Sequence, residues 1–180
     1  EYNETVVNFT DGDAIKLRAY NDGVAYRFTT GREGEIIIRD EIARFNLTGD
    51  PAVEYPQTDG FTSWEVVYYD YNSLSSIFEG QKSITPVACK RPDGVNVVVA
   101  EADLRRYPGM YVEKQDGGFR ASFAAYPDSV VMGSWDNIVS VVKSRGDYIA
   151  KTQGKREFPL RVLIVEKEDK NLLVNELIYK

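Results

Sequence analysis

The chain has 180 residues, no histidine and one cysteine, Cys89. Its 22 basic and 28 acidic side chains give a net charge of −6 and a pI near 4.8, the opposite of the basic footprint of a nucleic-acid binder. Without histidine, a Ser-His-Asp triad, a Cys-His dyad and a histidine-ligated zinc site are excluded within this chain, and one cysteine permits no internal disulfide.

The length suits one domain. A composition of 43% hydrophobic and 12% aromatic residues is too apolar for a disordered segment. No apolar run approaches the ~18 residues of a membrane-spanning helix. Any chemistry must rest on carboxylates, tyrosines, lysines or a cation that prefers oxygen ligands.

The chain opens on Glu1-Tyr2-Asn3 and enters a strand-like run, Val6-Val7-Asn8-Phe9. Residues 15–20 alternate apolar and polar, as a half-buried strand does. Asn21-Asp22-Gly23 is a turn signal. Residues 24–28 resume the alternation, with Val24, Tyr26 and Phe28 on one face, so a hairpin is predicted. A further run over 35–45 holds Ile36, Ile37, Ile38 and Phe45. Residues 64–71 are aromatic and β-branched. Arg91-Pro92-Asp93-Gly94 is a turn before a buried-strand candidate at 95–99. Residues 110–114 and 119–123 flank Gln115-Asp116-Gly117-Gly118 as a second hairpin. Residues 160–165 and 172–179 are predicted as the last strands.

Helical pattern is scarce. Residues 74–78 suit one turn or an irregular connection. Residues 101–107 suit another, stopped by Pro108-Gly109. Many short strands with regular turns predict an all-β antiparallel sandwich with one or two short helical turns. Both ends look cut, because domains usually finish in exposed polar linkers and the chain closes on the apolar run Leu177-Ile178-Tyr179 before Lys180, with no polar tail. The expectation is one β-sandwich domain over 1–180, truncated from a longer protein.

Two groups of residues invite a chemical reading. Tyr55, Phe61, Trp64, Tyr68, Tyr69 and Tyr71 form an aromatic group. Such rings stack on sugars, but they also dominate β cores, and Trp64, Tyr68 and Tyr69 are the carbohydrate-binding candidates. Glu101 and Asp103 follow an apolar strand where the chain turns. Oxygen ligands there suit Ca²⁺, which takes 6–8 of them; acids equally suit the first turn of a short helix. Three Asn-x-Thr triplets, at Asn3, Asn8 and Asn46, are too short a pattern to imply glycosylation.

The run Leu17-Arg18-Ala19-Tyr20-Asn21-Asp22-Gly23-Val24-Ala25-Tyr26-Arg27-Phe28 resembles a segment of glycoside hydrolase family 97. So, in order, do Trp64-Glu65 with Tyr68, then Val99-Ala100-Glu101-Ala102-Asp103-Leu104 with Tyr107-Pro108-Gly109-Met110. Phe158-Pro159-Leu160-Arg161-Val162-Leu163-Ile164 and Asn171-Leu172-Leu173-Val174-Asn175-Glu176-Leu177 complete the likeness. Phe158 and Leu160 depart from the family pattern. The resemblance spans the whole chain and falls on one region, the N-terminal β domain.

That resemblance implies a β super-sandwich similar to galactose mutarotase, packed on a (β/α)₈ barrel that lies outside this chain. It implies a parent α-glucosidase or α-galactosidase of a Bacteroides-type bacterium, periplasmic or secreted, acting on oligosaccharides. It implies a catalytic Ca²⁺ shared between domains, with Glu101 as this domain's ligand and no catalytic acid, base or nucleophile on this chain. The fragment alone would then be inactive. The alternative is a stand-alone carbohydrate-binding β-sandwich module. A mutarotase-like enzyme would need the histidine that the chain lacks.

Overall fold

The structure is a computed structural model that describes residues 1–61, 66–133 and 139–179. The strands come in chain order as β1 (Asn3–Asn8), β2 (Asp13–Tyr20), β3 (Gly23–Thr30), β4 (Glu35–Ile38), β5 (Arg44–Asn46) and β6 (Ala52–Thr58). Next come β7 (Val67–Tyr71), β8 (Lys82–Ile84), β9 (Val87–Lys90), β10 (Asn96–Ala102), β11 (Tyr111–Gln115) and β12 (Gly118–Ser122). The last are β13 (Pro127–Met132), β14 (Ser140–Arg145), β15 (Ala150–Gln153), β16 (Arg156–Glu157) and β17 (Leu160–Glu166). Helical structure among the described residues is confined to two 3₁₀ turns, Leu74–Ser76 and Leu177–Tyr179, and one turn of α-helix, α1 (Asp169–Leu172).

Thirteen strands join one antiparallel sheet in the order β1-β2-β3-β17-β10-β9-β6-β8-β11-β12-β5, with β16 added to β3 and β7 to β6. Two small ribbons, β13-β14 and β15-β4, lie off it. The all-β antiparallel class read from the sequence is the class observed. The first predicted hairpin forms as expected, with Tyr20 paired to Gly23 and Asp13 to Thr30. Gly23 is required there by close approach: a Cβ would stand 2.2 Å from the carbonyl oxygen of Leu163 on β17.

The centre of the sheet is β10, which is buried on both faces. Successive strand residues point to opposite faces, and β10 uses both. Val98, Ala100 and Ala102 join Leu160, Val162, Ile164 and Leu177 in one cluster. Val99 joins Phe45, Tyr55, Val87, Met110, Val112 and Phe119 in the other. The second cluster forms because the sheet curls. Tyr55 on β6 stacks on Phe119 on β12 with ring centroids 5.8 Å apart, although β8 and β11 separate those strands. Each fully buried aliphatic side chain of this kind contributes about 1.5–3 kcal/mol.

Three predicted elements differ. The run 35–45 is not one strand: β4 pairs with β15 while β5 pairs with β12. A loop at 39–43 between them turns Glu41 inward and leaves Ile42 exposed. Residues 101–107 form no helix. Glu101 and Ala102 end β10, and Asp103 and Arg106 adopt positive φ, 55° and 50°, which no right-handed helix contains. Residues 172–179 form no strand. Asn171 and Asn175 donate to the Glu166 carboxylate, which folds the segment into α1 and a turn. Leu177 then caps the cluster over β10 and β17.

Candidate functional site

Glu101 is the second-last residue of β10, on the face that carries Val99. Its antiparallel register partner is Arg161 on β17, so the two side chains rise from one face of adjacent strands. Arg161 Nη1 donates to Glu101 Oε2 at 2.9 Å. The other carboxylate oxygen, Oε1, accepts the backbone N–H of Met110 at 2.9 Å. Burial raises the Glu101 pKa above the ordinary carboxylate value; the Met110 amide and the Arg161 charge oppose that rise.

Arg161 is shared. Its Nε and Nη2 donate to Glu41 Oε1 and Oε2 at 2.6 and 2.7 Å, a bidentate pair. The guanidinium lies over the rings of Phe123 and Tyr107, at 5.2 and 6.0 Å. Only 1% of the Arg161 side chain meets solvent. Burial alone would lower the Arg161 pKa; the hydrogen bonds and charge of Glu41, with the charge of Glu101, reverse the sign and hold it above its usual value. Two carboxylates thus share one guanidinium.

The loop after Glu101 is fixed from outside. Arg27 Nη2 donates to Asp103 Oδ2 at 2.9 Å. Arg156 Nη2 donates to the carbonyl of Arg105 at 2.7 Å. These contacts hold the irregular backbone that brings the Met110 amide back onto Glu101. Tyr107, on the same loop, has its pKa raised by burial first and by the charge of Glu41 second. It also lines a cleft of about 430 Å³, with Phe28, Ile38, Glu41, Ile42 and Phe158 among the walls. Glu41 thus joins the cleft to the ion group.

A hard dication fits this chemistry in part. Both Glu101 oxygens keep lone pairs beyond the hydrogen bonds they accept, and carboxylate oxygen is a ligand that Ca²⁺ takes. Among the described residues, no group of three or more acidic or cysteine side chains is arranged to hold a metal ion. Asp103, the predicted companion of Glu101, is occupied by Arg27 and Arg105.

The aromatic group divides. Tyr55 is fully buried, and its hydroxyl donates to the carbonyl of Gln81 at 2.7 Å. Tyr71 is half-buried and donates to Gln57. Phe61 meets Tyr111 edge-on. Tyr68 and Tyr69 on β7 are 60% and 46% exposed, and as neighbours in a strand they face opposite ways. Trp64 lies outside the described residues. Glu41, Arg161 and Tyr107 carry no expectation as site residues from the sequence. The arginine within the apolar run of β17 is the sequence feature that could mark a buried ion pair.

Residues 1–180 match the family described as Glycosyl-hydrolase 97 N-terminal. A retaining alpha-galactosidase of Bacteroides thetaiotaomicron is 32% identical over 190 residues, covering 99% of this chain and 28% of that protein. Among solved structures, a Glycoside Hydrolase Family 97 enzyme from Pseudoalteromonas sp. strain K8, in complex with acarbose, superposes with a TM-score of 0.65 at 18% identity. The superposition covers 98% of this chain and 29% of that one. A beta-arabinopyranosidase superposes with a TM-score of 0.62 at 16% identity, over 93% of this chain and 31% of its own. These two likenesses speak to the fold. The chain spans less than a third of the length of each relative.

Proposed function

Since this chain belongs to the glycosyl-hydrolase 97 N-terminal family, we propose that it is the non-catalytic N-terminal domain of a Ca²⁺-dependent α-glycosidase, an α-galactosidase or α-glucosidase. In this reading it packs on a catalytic barrel of the same polypeptide and supplies Glu101 as one ligand of a shared Ca²⁺. The enzyme acts on oligosaccharides in the periplasm or outside the cell, and the barrel supplies the general acid and its partner. The bound Ca²⁺ would place positive charge against a sugar oxygen as the glycosidic bond breaks.

The observation that carries the reading is the state of Glu101: a partly buried carboxylate at a strand end, held at both oxygens and sharing one arginine with Glu41. The compartment and the choice of sugar rest on family resemblance. A stand-alone sugar-binding module draws less support, because Tyr68 and Tyr69 face opposite ways and offer no joint platform.

Hydrolysis of p-nitrophenyl α-galactoside or α-glucoside tests the division of labour. The full-length protein is expected to hydrolyse at least one of them, and the 180-residue chain neither. Turnover by the chain alone, above a buffer blank, overturns the reading.

A further inference from the structure

We propose that Arg161 is the positioning residue for Glu101, with Glu41 as its permanent counter-ion. The inference rests on the reading of Glu101 as a cation ligand and adds how that carboxylate is held ready.

Arg161 has five N–H donors in a rigid fork. The Nε edge is committed to Glu41 at 2.6 and 2.7 Å. A single longer bond, 2.9 Å from Nη1, reaches Glu101. The rings of Phe123 and Tyr107 flank the guanidinium and oppose its rotation. The two arms are therefore unequal. Glu41 neutralises and anchors the arginine, and Glu101 is steered by what remains. Lys114 and Glu79 make a simpler pair elsewhere in the sheet, one ammonium to one carboxylate. At Arg161 the fork does what a point charge cannot, holding two carboxylates in fixed directions.

This arrangement answers a problem that any cation site containing Glu101 faces. A lone buried carboxylate is costly and tends to take up a proton. Were the carboxylate fully committed to an arginine, the guanidinium would compete with the cation for it. Glu101 avoids both: Arg161 touches only Oε2, and the Met110 amide holds Oε1. The carboxylate plane is set by two donors while lone pairs stay free. When a cation draws charge from Glu101, Arg161 is still satisfied by Glu41, so no buried charge is left unpaired. Glu41 earns its inward turn from the exposed loop at 39–43 by this service.

The test uses the full-length protein, stripped of metal and titrated calorimetrically with Ca²⁺ alone. Arg161→Lys keeps the positive charge and removes the fork. Glu41→Asp keeps the negative charge and shortens the anchor. Each is expected to weaken Ca²⁺ binding roughly fivefold or more, the low end of coupling between linked sites. Phe119→Leu, a core change that touches neither Glu101 nor Arg161, is expected to leave the affinity unchanged, so that loss of stability alone is not mistaken for loss of positioning. If both charge-conserving variants bind Ca²⁺ as the parent does while Glu101→Gln binds it weakly, the positioning role is overturned and the ligand role stands. If Glu101→Gln binds as the parent does, the ligand role fails and the inference fails with it.

Discussion

Arg161 and Glu101 face each other as register partners on β17 and β10, and one guanidinium N–H closes the gap at 2.9 Å. The pair lies at the end of the most buried strand, and Glu41 completes it from a loop 120 residues away in sequence. The energetic weight of this group is a matter of what each removal leaves behind.

Arg161→Met leaves a buried carboxylate, Glu41, and a partly buried one, Glu101, without this counter-charge. Breaking a buried ion pair by removing one partner costs about 3–5 kcal/mol. Urea unfolding is expected to show a loss of that size. A loss below about 1 kcal/mol, the scale of an exposed pair, would show that solvent reaches the group.

Phe119→Ala removes the ring that stacks on Tyr55 and joins β12 to β6. Large-to-small changes at such sites cost about 3–5 kcal/mol. The same urea measurement is expected to return a value in that range with an unaltered denaturant slope. A near-neutral result would mean that the two halves of the curled sheet do not depend on this contact.

Acid should weaken the Glu79–Lys114 tie. The Lys114 hydrogen bond holds the Glu79 carboxyl below its ordinary pKa, at 2.5 Å from an ammonium that is almost fully buried. A carboxyl with a lowered folded-state pKa stabilises at pH values above its unfolded pKa, and the contribution is lost as pH falls through the folded value. Thermal melts from pH 7 to pH 3 are expected to fall less steeply in Glu79→Gln than in the parent. Parallel curves would remove Glu79 from the acid response.

Cys89 should be silent in the native state. It is buried in the cluster between β6 and β10, and burial pushes its thiol pKa up to about 12. Thiolate is the reactive form. Ellman's reagent is expected to find no thiol in the folded chain and one in denaturant. Rapid native labelling would show that the core around Cys89 opens.

Legibility from sequence followed the range of the interactions. The β2–β3 hairpin was readable because its signals, Asn21-Asp22-Gly23 between alternating runs, are local. Glu101 was readable as a strand-end carboxylate for the same reason. Glu41 was not, since nothing near it in sequence marks an inward carboxylate; its partner comes from β17. The loop after Glu101 has helix-forming composition, yet Arg27 and Arg156, from distant strands, hold it in positive-φ turns. At 172–179 the apolar residues suggested a strand, but Asn171 and Asn175 bind Glu166, and Leu177 is used as a plug.

As proposed, Glu101 supplies one ligand of a Ca²⁺ shared with the catalytic barrel. Calorimetric titration of the metal-stripped full-length protein tests it most directly, comparing the parent with Glu101→Gln. Changes around a metal site lower affinity by about 10–100-fold, and loss of a ligating charge is expected to weaken Ca²⁺ binding by at least tenfold. An unchanged dissociation constant would contradict the account.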